Sequence, residues 1–163
     1  MTRPDPIASL GPSDLERINR LLHTFVSEAG ARCALLLDRN GRPLTAFGDT
    51  GELDEASFAS LAAADFDASD ELAGLLGERE FTALYHQGVH GSLYLSEVAG
   101  AAILAAVFDR RTTLGMVRLK TRQVVPHLVA LLTELDGRPG ERPGLEAGWT
   151  RDAVSEIDRL FAG

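Results

Sequence analysis

The sequence is short of several things that whole classes of protein require. It holds one cysteine, Cys33, in 163 residues. A single thiol closes no internal disulfide, so a reducing cytoplasm is the expected compartment. Basic residues are in the minority, 16 Lys plus Arg against 24 Asp plus Glu, for a net charge of −8. General nucleic-acid binding needs a cationic face that releases counterions, and anionic membrane surfaces demand the same, so neither class fits this balance. The longest apolar run, Val98 to Phe108, is eleven residues, well short of the ~20 that span a bilayer. The N-terminal MTRPDPIASLGPSD has no apolar stretch of the kind a secretory leader carries. Also missing are G-x-x-x-x-G-K-[ST], a G-x-G-x-x-G after a strand, and H-E-x-x-H, and with them the minimum parts of a phosphate cradle, a dinucleotide site and a zincin. No catalytic residue, metal or cofactor is therefore assigned.

What is present suits one globular domain with tails. Apolar residues make up 45% and charged residues 25%, and a chain of this length can bury a real core. Residues 1–10 read as a loose, proline-containing lead. Ser13 and Glu16 have the spacing of a capping box, and Leu15, Ile18, Leu22, Phe25 and Ala29 follow at helical intervals up to Gly30. CALLLD (33–38) and PLTAF (43–47) flank Arg39-Asn40-Gly41-Arg42, and Asn-Gly between apolar runs is a hairpin signal. A second helix is predicted from Asp54 to Leu76, closed by Gly77. At 100° per residue from Phe58, its greasy side holds Leu61, Ala68, Leu72 and Leu76, and its acidic side Asp67, Asp70 and Glu71.

Three strand-like stretches, 81–87, 92–98 and 101–108, are separated by short glycine-containing gaps and read as an antiparallel meander. A third helix, 113–135, contains Pro126, which is able to kink it. The pattern is αββαβββα, an α+β domain over 11–135. Residues 136–149, DGRPGERPGLEAGW, have linker composition. Thr150 can cap a short helix over 150–163 whose Val154, Ile157, Leu160 and Phe161 form an apolar stripe.

Side chains that attract a chemical reading mostly have a plainer one. His86 and His90 have H-x-x-x-H spacing, but on a strand end and a turn those positions do not share a face. Cys33 sits in an apolar strand and reads as a small buried hydrophobe. Asp65 points to the greasy side of its helix and must find a local partner, reach the edge or raise its pKa. Charge is segregated: Asp49 to Glu80 carries ten acids and one base, Arg79, whereas Asp109 to Arg122 carries five bases and one acid. The acidic helix face is either solvated or a docking surface. The basic start of the third helix, with no aromatics interleaved, reads as solvated or internally paired.

The stretches ARCALLLDRNGRPLTAFG, FASLAAADFDASDELAGLLGEREF, YHQGVHGSLYL and VFDRRTTLGMVRLK, collinear between Ala31 and Leu135, resemble the Roadblock/dynein light chain family, in particular its bacterial gliding-motility and polarity branch. EIDRLF after the Pro/Gly linker is similar to the tail helix of that branch. The resemblance implies a five-stranded antiparallel sheet with helices on both faces. It also implies a homodimer joined sheet edge to sheet edge with the second helices side by side, and a non-catalytic activator of a small Ras-like, MglA-type GTPase in its GTP form. On that reading Ser60, Ala63, Ala64, Asp67, Ala68 and Glu71 bind the GTPase, and Val154, Ile157, Leu160 and Phe161 form a second docking element, the alternative being that the tail folds back on its own domain and covers apolar surface there. The alternative is a scaffold of the same fold that recruits a GTPase or another Roadblock subunit without altering hydrolysis. A small-ligand sensor has less support, because no convergent polar cluster is legible. Cytoplasmic residence, at a cell pole in this branch, completes the expectation.

Overall fold

Apolar runs punctuated by glycine turns become one antiparallel sheet in the computed structural model, which describes residues 6–137. The strands are β1 (Cys33–Asp38), β2 (Pro43–Gly48), β3 (Ala83–Gln87), β4 (Ser92–Val98) and β5 (Ala102–Phe108), in the order β2-β1-β5-β4-β3. Every neighbouring pair is antiparallel. Central β1 and β5 are almost wholly buried, which is why they read as unbroken apolar runs with no alternation: both of their faces are covered. Helices α1 (Pro12–Ala29) and α3 (Leu114–Asp136) cover one face, around Ile18, Leu22, Phe25, Leu36, Leu104, Leu128 and Leu132. Helix α2 (Glu55–Leu75) covers the other, over Leu35, Leu37, Leu95 and Ile103. The expected αββαβββα order and α+β class are those observed. Among the described residues no helix is long and apolar enough to cross a membrane.

Two local expectations change. Helix α1 is capped two residues earlier than the Ser13–Glu16 box proposes. Gly11 is the N-cap, Pro12 follows it, and the Asp14 carboxylate accepts from the Gly11 N–H at 3.1 Å. Proline's fixed φ suits the first helical position, so the helix starts there and the carboxylate three residues past the cap is Asp14. Within the stretch read as a loose lead, Pro6–Ser9 forms a 3-10 turn, and Ile7 is buried in the α1/α3 core. Pro126 lies inside α3, which is assigned as one helix across it. The linker beyond residue 137 and the expected helix over 150–163, with Val154, Ile157, Leu160 and Phe161, lie outside the described residues.

The β1–β2 turn lies against α2. Buried Asp38 organises the turn: its carboxylate accepts from the N–H groups of Asn40 (3.0 Å) and Arg42 (2.9 Å) and pairs with Arg42 Nε at 3.2 Å. Of the Asn-Gly pair only Gly41 takes a left-handed φ, +85°, and a Cβ there would lie 2.8 Å from Ser60 Cα. Glycine thus allows both the turn and the close approach to α2. Gly41→Ala is expected to cost about 1–2 kcal/mol, from the positive φ and the backbone contact together. Urea denaturation would show it as a lowered midpoint with an unchanged m-value.

Candidate partner-binding face

Helix α2 begins at Asp54, whose carboxylate accepts from the Ser57 N–H (3.3 Å) and hydroxyl (2.7 Å). Those hydrogen bonds, the hydroxyl's first, hold the Asp54 pKa below the ordinary aspartate value. The helix packs on the sheet through Ala59, Ala62, Ala63, Phe66, Ser69 and Ala73. Short side chains bring the two layers together, and Phe66 fills the space between the strand leucines.

That seating corrects the expected helix phase. Leu61, Leu72 and Leu76 do not point inward: they are 72%, 56% and 73% exposed, and Leu75 is 84% exposed. Ala68 is exposed with them. The sequence conceals this because α2 is apolar on two sides. Anchoring the phase on Phe58, which is only half-buried, selects the leucine side, whereas the sheet is met by the alanines and Phe66.

The outer surface of α2 accordingly has two strips. Leu61, Asp65, Ala68, Leu72 and Leu75 recur at intervals of four and three and form one apolar seam. Asp65, within it, pairs with His86 Nε2 of β3 at 2.5 Å, the local partner its position demands. Since β3 is an edge strand, the seam lies on the side of the open sheet edge. The second strip is polar and holds Ser60, Asp67 and Glu71, all exposed. Arg39, from the β1–β2 turn, reaches beside it, to Asp70 at 2.8 Å and Asp67 at 3.4 Å, with its guanidinium 5.3 Å from the centre of the Phe66 ring. Nearby on β4, burial first and then Glu80 raise the pKa of Glu97.

The six residues expected to meet a partner therefore divide. Ser60, Asp67 and Glu71 share the polar strip, Ala64 is exposed between the two strips, and Ala68 belongs to the seam itself. Ala63, at 4% exposure, is packed against the sheet and offers a partner nothing. Two features escape a reading of the sequence: the outward leucines, and the Arg39 clamp, which joins residues 28 and 31 positions apart and has no local signature.

The remaining candidates find ordinary roles. Cys33 is buried, and burial is the main reason its thiol pKa is raised. His90 lies in the β3–β4 turn, away from the Asp65–His86 pair, and among the described residues no three His, Cys, Asp or Glu side chains cluster as metal ligands. At the start of α3, Lys120 pairs with Glu28 at 3.3 Å and Arg111 with Asp109 at 2.9 Å. The Arg111 side chain, then its backbone N–H, hold the Asp109 pKa down to about 2. With a depressed carboxylate, the stabilisation is complete above the unfolded value and is lost as pH falls through the folded one. Carboxyl NMR is thus expected to find Asp109 titrating near 2, and Arg111→Ala should return it toward 3.8.

Residues 17–108 match the Roadblock/LC7 domain family. Among solved structures, Myxococcus xanthus MglB is 35% identical with a TM-score of 0.70, covering 72% of this chain and 96% of that one. The gliding protein MglB from Thermus thermophilus is 34% identical with a TM-score of 0.73, covering 77% and 95%. An MglB with a tetrameric arrangement is 33% identical with a TM-score of 0.74, covering 77% and 95%. No curated protein matches the chain.

Proposed function

The chain belongs to the Roadblock/LC7 family, and on that premise we propose that it is a homodimeric regulator of a small Ras-like GTPase of the MglA type, acting in bacterial polarity or motility. One observation carries the reading: α2, alone on its side of the sheet among the described residues, turns both an exposed leucine seam and an acidic strip to solvent. An apolar seam beside an unpaired strand edge suits a second copy of the chain. Two-fold pairing along Leu61, Ala68, Leu72 and Leu75, with β3 against β3, would place the two α2 helices side by side. The acidic strips then flank a composite face on which the switch regions of a GTP-bound partner would sit. Ser60, Ala64, Asp67 and Glu71 are the residues available there, Ala68 being taken up by the seam. The tail stripe Val154, Ile157, Leu160 and Phe161 would supply a second contact with the GTPase. The proposed site of action is the cytoplasm, at a cell pole.

Hydrolysis of GTP concentrates negative charge that a cation must meet. Helix α2 contains no Lys or Arg, and Arg39 is engaged by Asp67 and Asp70. From this face, activation would therefore have to work by arranging the GTPase's own residues. The same observation favours the second reading, a scaffold that binds or recruits without accelerating turnover. Single-turnover GTP hydrolysis by the MglA-type GTPase, with and without this protein, separates the two. Acceleration supports the activator, binding with unchanged hydrolysis supports the scaffold, and absence of binding overturns both.

A further inference from the structure

On the opposite side of the molecule, α1 and α3 leave a groove of about 410 Å³. Leu21 and Ala130 supply its apolar surface, with buried Leu131 beneath them, and Arg17, Arg20 and His127 stand around it. Glu134 neutralises Arg17 through hydrogen bonds of 3.0 and 3.2 Å. Arg20, exposed, has no ion-pair partner among the described residues. It also borders a second hollow, of about 490 Å³, beside Glu16, His23 and Phe47. In a chain of net charge −8, a groove that sets apolar surface beside a guanidinium held in no ion pair selects an acidic, amphipathic occupant.

The sequence supplies such an occupant close by. Helix α3 ends at Asp136, within a turn of Glu134, so the chain leaves the domain at the groove's own end. Residues 138–149 contain Pro139 and Pro143 with three glycines, and twelve residues extend to at most roughly 40 Å. At helical spacing, the stripe Val154, Ile157 and Leu160 is flanked by Glu156 on one side and Asp158 on the other. We infer that residues 150–161 dock, in the absence of any partner protein, into the α1/α3 groove of their own chain, with the stripe on Leu21 and Ala130 and a flanking carboxylate on Arg20. Tethering beside the groove gives the segment a high effective concentration there, so few contacts suffice. Docking would keep the same apolar stripe from other surfaces until a competitor draws it off. The inference stands independently of the GTPase reading, because both parts of the contact belong to this chain.

The test is paramagnetic relaxation in the full chain with no GTPase present. The native thiol, Cys33, is buried, so a nitroxide attached after Ser155→Cys, on the side of the helix away from the stripe, labels the tail alone. Amide signals of residues 17–21 and 127–134 should broaden most. Arg20→Glu should cut that broadening about threefold or more, and adding Glu156→Arg with Asp158→Arg should restore it. Labelled chains mixed with unlabelled ¹⁵N chains should broaden little, since the contact is within one chain. Broadening that is absent, concentrated on α2 or the start of α3, indifferent to Arg20→Glu, or confined to the mixed sample would overturn the inference.

Discussion

The double variant Leu61→Glu, Leu72→Glu is expected to be a folded monomer of 17.5 kDa at concentrations where the proposed dimer of the parent chain forms. Both side chains are more than half exposed in the isolated chain, at 72% and 56%, so neither is needed by the core and the fold should survive. Circular dichroism and the melting temperature are expected to stay near those of the parent. Dimerisation should not survive. Burying a leucine contributes about 1.5–3 kcal/mol, and in a two-fold interface each substitution acts twice, so four leucines are lost from one seam. Four glutamates brought together there add repulsion. Even after the ordering costs of association, a weakening of 100-fold or more is expected. Light scattering at micromolar concentration reads it directly. A variant that stays dimeric would place the interface elsewhere, and a parent that is itself monomeric would remove the dimer altogether.

The outward leucines cannot be found from the sequence alone, and the reason is physical. Periodicity reports which residues share a helix face, and it locates α1 and α3 well because each has one apolar side: Ile18, Leu22, Phe25 and Ala29 are all buried, as are Val117, Val124, Leu128, Leu131 and Leu135. Strand order is legible in part, because short glycine turns force β3, β4 and β5 into a meander and the Asn40-Gly41 turn pairs β1 with β2. Helix α2 has two apolar sides, one of alanines with Phe66 and one of leucines. Larger residues win when sides are ranked by hydrophobicity, yet close seating on the sheet favours the smaller ones. The mismatch is itself informative, since leucines left outside a core mark a surface that needs covering. Asp65 shows the opposite case: its position on the apolar side required a partner, and His86 supplies one. Arg39 shows what no local pattern reveals, a contact made only when a turn folds over a helix.

The Arg39 clamp also decides how the acidic strip should be tested. Reversing Asp67 would remove a group that pairs with Arg39 at 3.4 Å and set two cations against each other, mixing a structural effect with an electrostatic one. Glu71 and Ser60 avoid that. Both are exposed, neither pairs with Arg39, and Ser60 makes only a long hydrogen bond, 3.4 Å, to the Gly41 carbonyl. Glu71→Lys with Ser60→Lys shifts each protomer by +2 and +1, taking its formal charge from −8 to −5, and a dimer doubles the change on one face. If that face receives a GTPase through complementary charge, the association rate at low salt should fall about 10–100-fold. The dissociation rate should change far less, because exposed charges at a rim guide encounter more than they hold the complex. Raising the salt to several times the physiological level shortens the Debye length to a few ångströms, and parent and variant rates should then converge. Stopped-flow association with the GTP-loaded GTPase at two ionic strengths measures both quantities. Equal rates at low salt would reduce the strip to solvated charge, and a loss of affinity confined to the dissociation rate would mean that Glu71 is buried in the complex and fits a specific cation of the partner.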